Sequence, residues 1–180
     1  MTLPLSKRVI RDRQIVEDPW LHLADEDALP ESGDITVSLE RWQSDNDALK
    51  AYAGHVGLRL DSDTDVEETG LAINDIPLIV LDFPIIDTNK RGYHPVGKGY
   101  SQAYLLRTRL GFKGEIRARG PAVMRDVLFY MSRCGINSFE MDESKDINDA
   151  LKAFNEMTVA YQPSADSMQP AFMRRRNTAA

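Results

Sequence analysis

At 180 residues, with 42% hydrophobic and 28% charged side chains, the chain is sized for one core and has a globular composition, which excludes the fibrous, disordered and membrane-embedded classes. Its longest apolar run, Ile76 to Ile86, is broken by Pro77, Asp82 and Pro84, so no secretory or membrane-spanning stretch is expected. A single cysteine, Cys134, excludes an internal disulfide and any cluster held by four thiolates of the chain, and a reducing, cytoplasmic location is expected.

Net charge is -6, unevenly spread. Residues 1–75 carry 7 basic and 17 acidic side chains, net -10, and residues 76–180 carry 15 and 11, net +4. Within 90–133 ten basic residues (Lys90, Arg91, Lys98, Arg107, Arg109, Lys113, Arg117, Arg119, Arg125 and Arg133) face only Glu115 and Asp126, a pattern expected to attract anions.

In chain order, Arg8 to Ile10, Gln14 to Val16 and Trp20 to Leu23, separated by polar turns, predict short strands or a hairpin. After Pro30 to Asp34, Ile35 to Leu39 is β-branched and predicts a strand. Asp45 to Asp47 then opens a helix that carries Leu49, Tyr52, Ala53 and Val56. Gly57 to Leu60 reads as a strand, Asp61 to Glu68 as a short helix ending near Gly70, and Pro77 to Phe83 as the most buried strand. A loop through Asp87 to Gly92 and Pro95 to Gly99 leads into a helix over Ser101 to Leu110, stopped by Gly111. Lys113 to Ala118 is the next strand, Pro121 to Cys134 a helix, Ile136 to Met141 the last strand and Asp146 to Tyr161 the last helix.

Alternating strands and helices predict an α/β fold whose mostly parallel sheet is built from repeated β-α units, as an open Rossmann-like sheet or a partial barrel, preceded by a short hairpin-like segment. The expected organisation is an N-terminal β segment over 1–33, a single α/β domain over 34–162 and a mobile tail over 163–180 that includes Arg174, Arg175 and Arg176.

His22, His55 and His94 are isolated in sequence, so no metal and no cofactor is expected. Gly97-Lys98-Gly99-Tyr100-Ser101 precedes a helix, where backbone N–H groups could hold an oxyanion, yet it lacks both the dinucleotide fingerprint and the P-loop ending. The competing reading is a flexible approach to the helix, with Ser101 as its cap and Lys98 solvated. Glu115, Arg117 and Arg119 alternate with apolar residues and share one face of their strand, which contradicts a strand buried on both faces.

Ligands of α/β sheets collect at strand C-terminal ends, which makes Arg117 and Arg119 oxyanion candidates. Ion pairs with Glu115 or Asp126 are the alternative. Asp82 and Asp126 are the candidate acid-base carboxylates, with capping and ion pairing as their alternative roles. Cys134, at a helix C-terminus, reads as structural. Tyr100, Tyr104 and Tyr130 among arginines could stack on bases, but an acidic chain without a nucleic-acid signature gives no expectation of nucleic-acid binding.

The segments Gly97 to Arg107, Gly111 to Ala118, Arg125-Asp126 and Arg133 to Gly135, with Pro77 to Pro84 before them, resemble the bacterial family called domain of unknown function 934. The resemblance covers roughly residues 77–141, with the part from about 35 compatible. The chain departs from the family's Asp-Gly-Arg-Gly-Tyr-Ser, having Val96 to Ser101 there, and has extra residues after Pro84. It departs again over Gly120 to Val127, where the family has a shorter link and Gln after Asp. Members carry the label of probable oxidoreductases of sulfite reduction, and the resemblance implies genomic association with an assimilatory sulfite reductase haemoprotein.

The expectation is therefore an accessory protein of assimilatory sulfite reduction with no redox centre of its own. It would bind the reductase, or sulfite, sulfate or phosphate, through Lys98, Gly99, Ser101, Arg107, Arg117, Arg119 and Arg125. The rivals are a small enzyme acting on an anionic substrate through Asp82 or Asp126, and a structural subunit of a larger complex.

Overall fold

The computed structural model describes residues 7–88, 92–95 and 97–178, with side chains over 7–85 and 97–174. Lys90, Arg91 and Val96 and the side chains of His94, Arg175 and Arg176 lie outside the described residues.

β1 (Arg8–Arg11) and β2 (Gln14–Glu17) form the anticipated hairpin, and Asp12 and Arg13 both adopt positive φ (49° and 61°), the two-residue turn whose twist matches paired strands. Asn137 holds that turn, its carbonyl accepting from the Asp12 amide and its side-chain amide donating to the Asp12 carboxylate.

Eight strands make the main sheet in the order β2-β1-β10-β9-β6-β5-β4-β3. Beyond the hairpin these are β3 (Trp20–His22), β4 (Asp34–Ser38), β5 (Val56–Leu60), β6 (Leu78–Asp82), β9 (Glu115–Arg119) and β10 (Ser138–Glu140). The six run parallel, and the hairpin adds to β10 antiparallel, so the expected mostly parallel sheet is corrected to a mixed α/β one. The loop expected after Pro84 contains a separate antiparallel pair, β7 (Ile85–Thr88) with β8 (Gly92–Pro95).

Helices are α1 (Leu39–Ser44), capped by Ser38, α2 (Asn46–Lys50), α3 (Lys98–Thr108), α4 (Leu128–Arg133), α5 (Ile147–Glu156), capped by Asp146, and α6 (Ala171–Thr178). Besides the earlier start of α3, at Lys98 instead of Ser101, four expected helix boundaries move. Residues 61–68 form turns, because Val66 is the only side chain there that enters the core. The helix expected from Asp45 ends at Lys50, and Val56 already belongs to β5.

The other two changes concern later helices. α4 starts late because Pro121 and Ala122 turn tightly, the Val123 amide reaching the Gly120 carbonyl, and a 3-10 turn (Arg125–Val127) intervenes. α5 ends at Glu156, short of the expected Tyr161. After Pro163, the Ala165 amide donates to the Arg133 carbonyl, and Ala171 follows a bridge between Ala160 and Pro170.

The sheet curls into a half-barrel. His22 on β3 lies 2.7 Å from Glu140 on β10, five strands along the order, whereas a flat sheet would separate them by about 24 Å. On the convex face Leu58, Leu60, Ile79, Leu81, Ile116, Ala118 and Phe139 pack under Ala103, Leu106, Leu128, Met131 and Phe154 of the helices, and every one is 5% exposed or less. The concave face takes the alternate residues of the same strands, and it gathers charged side chains, Arg59, Asp82, Glu115, Arg117, Arg119 and Glu140, among small, polar and apolar ones.

Candidate functional site

Register assigns the concave side chains to layers. Thr36, Gly57, Leu78 and Glu115 are partners across β4, β5, β6 and β9; the next layer is Ser38, Arg59, Val80, Arg117 and Ser138; the last, at the C-terminal rim, is Asp82, Arg119 and Glu140. Asp61 follows Leu60 at the end of β5.

Arg117, at the centre, has no exposure. Its guanidinium donates to both Asp18 oxygens at 2.8 Å, to Glu115 Oε1 at 2.9 Å and to Ser138 Oγ at 3.2 Å. Asp18, in the link between β2 and β3, is itself 1% exposed at its side chain, so a buried cation is matched by buried anions. The ion-pair reading of Arg117 is therefore the one its surroundings match, with Asp18 as a partner the sequence did not reveal.

Arg59 donates to the Thr36 carbonyl at 2.8 Å and the Leu23 carbonyl at 2.6 Å, and burial, then the nearby Arg119, push its pKa down. Glu140 accepts from Lys7 and His22. Burial alone would raise this carboxyl, but the hydrogen bonds and charges of His22 and Lys7 hold it at about 2. Asp82 behaves differently. Burial pushes its carboxyl above the ordinary range and Asp61 adds to this, while Arg119, Arg59 and His22 oppose it.

Arg119 is the concave arginine with most donor capacity left. Its side chain is 37% exposed, and its one ion pair among the described residues is a 3.5 Å approach to Glu140. It lines a 300 Å³ cleft with Lys7, Gly120, Pro121, Glu140, Met141, Asp142 and Glu143. Gly120 closes this rim tightly: its φ is +119°, and a Cβ there would lie 2.7 Å from the Phe83 carbonyl oxygen. The larger 490 Å³ cavity, along 66–75 and Leu110, has no cationic lining.

The other anticipated anion ligands are dispersed and engaged elsewhere. Lys98 pairs with Asp63, and Ser101 is exposed within α3 rather than capping it, since the helix begins at Lys98. Gly99 is a packing residue, because a Cβ there would stand 2.5 Å from the Phe83 ring. Arg107 donates to the carbonyls of Gly135, Phe112 and Gly114 and to Asn137 Oδ1, tying α3 to the sheet from the convex side. Arg125 pairs with Asp149 and Glu156 on α5. Arg109 pairs with Glu67, and Arg133 with Asp166.

The basic segment is thus largely neutralised within the chain, much of it by the acidic first half. Asp126 is exposed beside Arg125 and does not join Asp82. Cys134 is half-buried, and burial pushes its thiol up.

Sequence reasoning missed two features. Asp18, His22 and Glu140 each offer one ligand atom within 4.8 Å of the other two, the spacing of a metal-binding group. Lys7 and Arg117 already occupy its carboxylates, so a divalent cation would have to displace two positive charges, that of Arg117 fully buried. His22 and Glu140 are 118 residues apart, and no local pattern links them. Second, Gln102 is 5% exposed and donates to the carbonyls of Asp61 and Thr64, while its Oε1 has no partner among the described residues.

Among the described residues no helix is long and apolar enough to cross a membrane. The profile of a family described as "Bacterial protein of unknown function (DUF934)" matches residues 57–172, which span β5 to the first residues of α6 and include Asp82, Arg119 and Glu140. No curated protein matches the chain.

Proposed function

The chain belongs to the bacterial family of unknown function DUF934, and we propose that it acts in assimilatory sulfite reduction as an accessory protein, holding a small oxyanion at the strand C-terminal ends and supplying no redox centre of its own. The observation that carries this reading is Arg119. It is a half-exposed guanidinium at the mouth of a concave face whose other arginines are committed to carboxylates or carbonyls. Two oxygens of an oxyanion suit the parallel N–H groups of a planar guanidinium, and the cleft beside it, at 300 Å³, is of a size for a small ligand. The genomic association implied by the family resemblance supplies the sulfur context. Compared with the sequence expectation, the proposed binding set contracts to Arg119, with Lys7 lining the same cleft.

The experiment is isothermal titration of the full chain with sulfite, sulfate and phosphate, alongside capture of sulfite reductase from native extract, each repeated with Arg119→Ala. Binding of an oxyanion or the reductase by wild type that is lost in Arg119→Ala supports the reading. Absence of both in wild type overturns it.

Asp82 favours a second reading, a small enzyme acting on an anionic substrate. A carboxyl held above its ordinary range beside two arginines is suited to general acid-base work. Substrate turnover that survives Asp82→Asn would remove this reading.

A further inference from the structure

Building on the oxyanion reading, we propose that Asp82 sets the specificity of the rim, admitting oxyanions that carry a proton, such as hydrogensulfite or hydrogen phosphate, and rejecting fully ionised sulfate. Asp82 and Arg119 are register partners on neighbouring strands and face the same concave side, so their Cα atoms are about 5 Å apart. Among the described residues no hydrogen bond or ion pair joins them. Arg119 leans the other way, to Glu140 at 3.5 Å. The 300 Å³ cleft lies on the Glu140 side of Arg119 and is not lined by Asp82; the oxyanion that Asp82 would sense is one held on the concave side of the same guanidinium, where the register sets the two side chains next to each other.

What happens at that contact depends on one proton. Two ionised oxygens repel each other, and the surrounding sheet excludes much of the water that would screen them. With a hydrogen between them the same contact becomes a charge-assisted O–H···O bond, the shortest and strongest of its class. The charged groups facing Asp82 are Arg59 and Asp61 on the β5 side, Arg119 on β9, His22 on β3, and Glu140 on β10 with Lys7 on it.

Asp61 discourages a second negative charge, and the arginines hold the anion without supplying a transferable proton. The burial that pushes the Asp82 carboxyl up is consistent with a shared proton at this point. Sulfate carries no proton at neutral pH, so beside an ionised Asp82 it meets the repulsion that a protonated oxyanion escapes. Discrimination by an unpaired charge against the wrong ligand is a general route to specificity.

The test is titration at pH 7 and constant ionic strength with sodium sulfate, potassium phosphate and, without oxygen, sodium sulfite, using wild type and Asp82→Asn. Wild type is expected to bind phosphate and sulfite at least tenfold more tightly than sulfate. The Asn variant, whose amide can donate to sulfate, is expected to narrow that ratio below threefold. Wild type binding sulfate as tightly as phosphate overturns the inference and leaves the oxyanion reading standing; wild type binding none of the three overturns the oxyanion reading and the inference together. Should the variant fold poorly, a pH series on wild type alone decides: sulfate affinity must rise as pH is lowered from 8 to 5, and a flat profile overturns the inference.

Discussion

The two faces of one curled sheet use the same strands, alternate residues and opposite chemistry. On the convex face Ile79, Leu81, Ile116 and Ala118 meet the helices with no exposure, the ordinary way for an α/β sheet to bury its area. On the concave face the intervening positions of the same strands hold Leu78 and Val80 but also Asp82, Glu115, Arg117 and Arg119, joined by Asp18, His22 and Glu140 from the ends of the chain. The convex face gains stability from area and shape, whereas the concave face depends on matched charge. A methyl group lost from the first leaves a cavity, but a partner lost from the second strands a buried ion.

Removing Arg117 breaks the comparison hardest. Arg117→Ala leaves Asp18 and Glu115 without their buried cation and is expected to cost about 3–5 kcal/mol by urea unfolding. Leu81→Ala, on the convex face of the neighbouring strand and paired with Ala118, is expected to cost about 2–4 kcal/mol as a cavity. If Arg117→Ala costs less than Leu81→Ala, the concave network is not the tighter constraint on the fold. A double change of Asp18 and Arg117 to apolar residues of similar size sharpens the point, because it should recover much of the single-variant loss.

Acid separates the faces next. Glu140 titrates at about 2 against an ordinary value of 4.5, so its partners contribute stability above pH 4.5 that is lost as pH falls towards 2. The amount is on the order of 3 kcal/mol at about 1.4 kcal/mol per unit. In Glu140→Gln the slope of stability between pH 5 and 3 should shrink, and an unchanged slope would remove Glu140 from the account. Leu81→Ala, in contrast, should lower the whole pH profile in parallel.

How far these faces were legible in sequence follows from distance along the chain. The alternation Glu115-Ile116-Arg117-Ala118-Arg119 announced a strand with one charged face, and the start of the chain announced a hairpin, because both are local signals with period two. The hairpin's antiparallel place beside β10 was not legible, since it is decided by which edge remains open after the β-α units fold. Of the partners of Arg117, Glu115 two residues away was legible and is seen, whereas Asp18, 99 residues away, was not.

Counting charge along 90–133 misled for a physical reason. Arg107, Lys98 and Arg125 emerge on α3 or beside α4, and each meets carbonyls or carboxylates from other segments. The run of like charge in sequence is therefore not a patch in space. Asp82 and Arg119 were legible as strand-end residues, and their juxtaposition needed only the register.

The smallest stability effect is expected at Arg119, and this makes it informative. It sits two residues from Arg117 on the same face, yet at 37% exposure with one 3.5 Å contact it resembles a surface pair, worth about 0–1 kcal/mol. Arg119→Ala should therefore unfold within about 1 kcal/mol of wild type. A rim built for stability alone would have sealed this arginine as it sealed Arg117, and leaving a guanidinium half-solvated beside a half-buried carboxyl costs packing without a structural return. If Arg119→Ala instead destabilises as much as Arg117→Ala, the rim is one more layer of the ion-pair core and the case for a ligand there fails. A stable Arg119→Ala that has lost oxyanion binding would separate the two layers, one that holds the half-barrel closed and one that faces outward to bind.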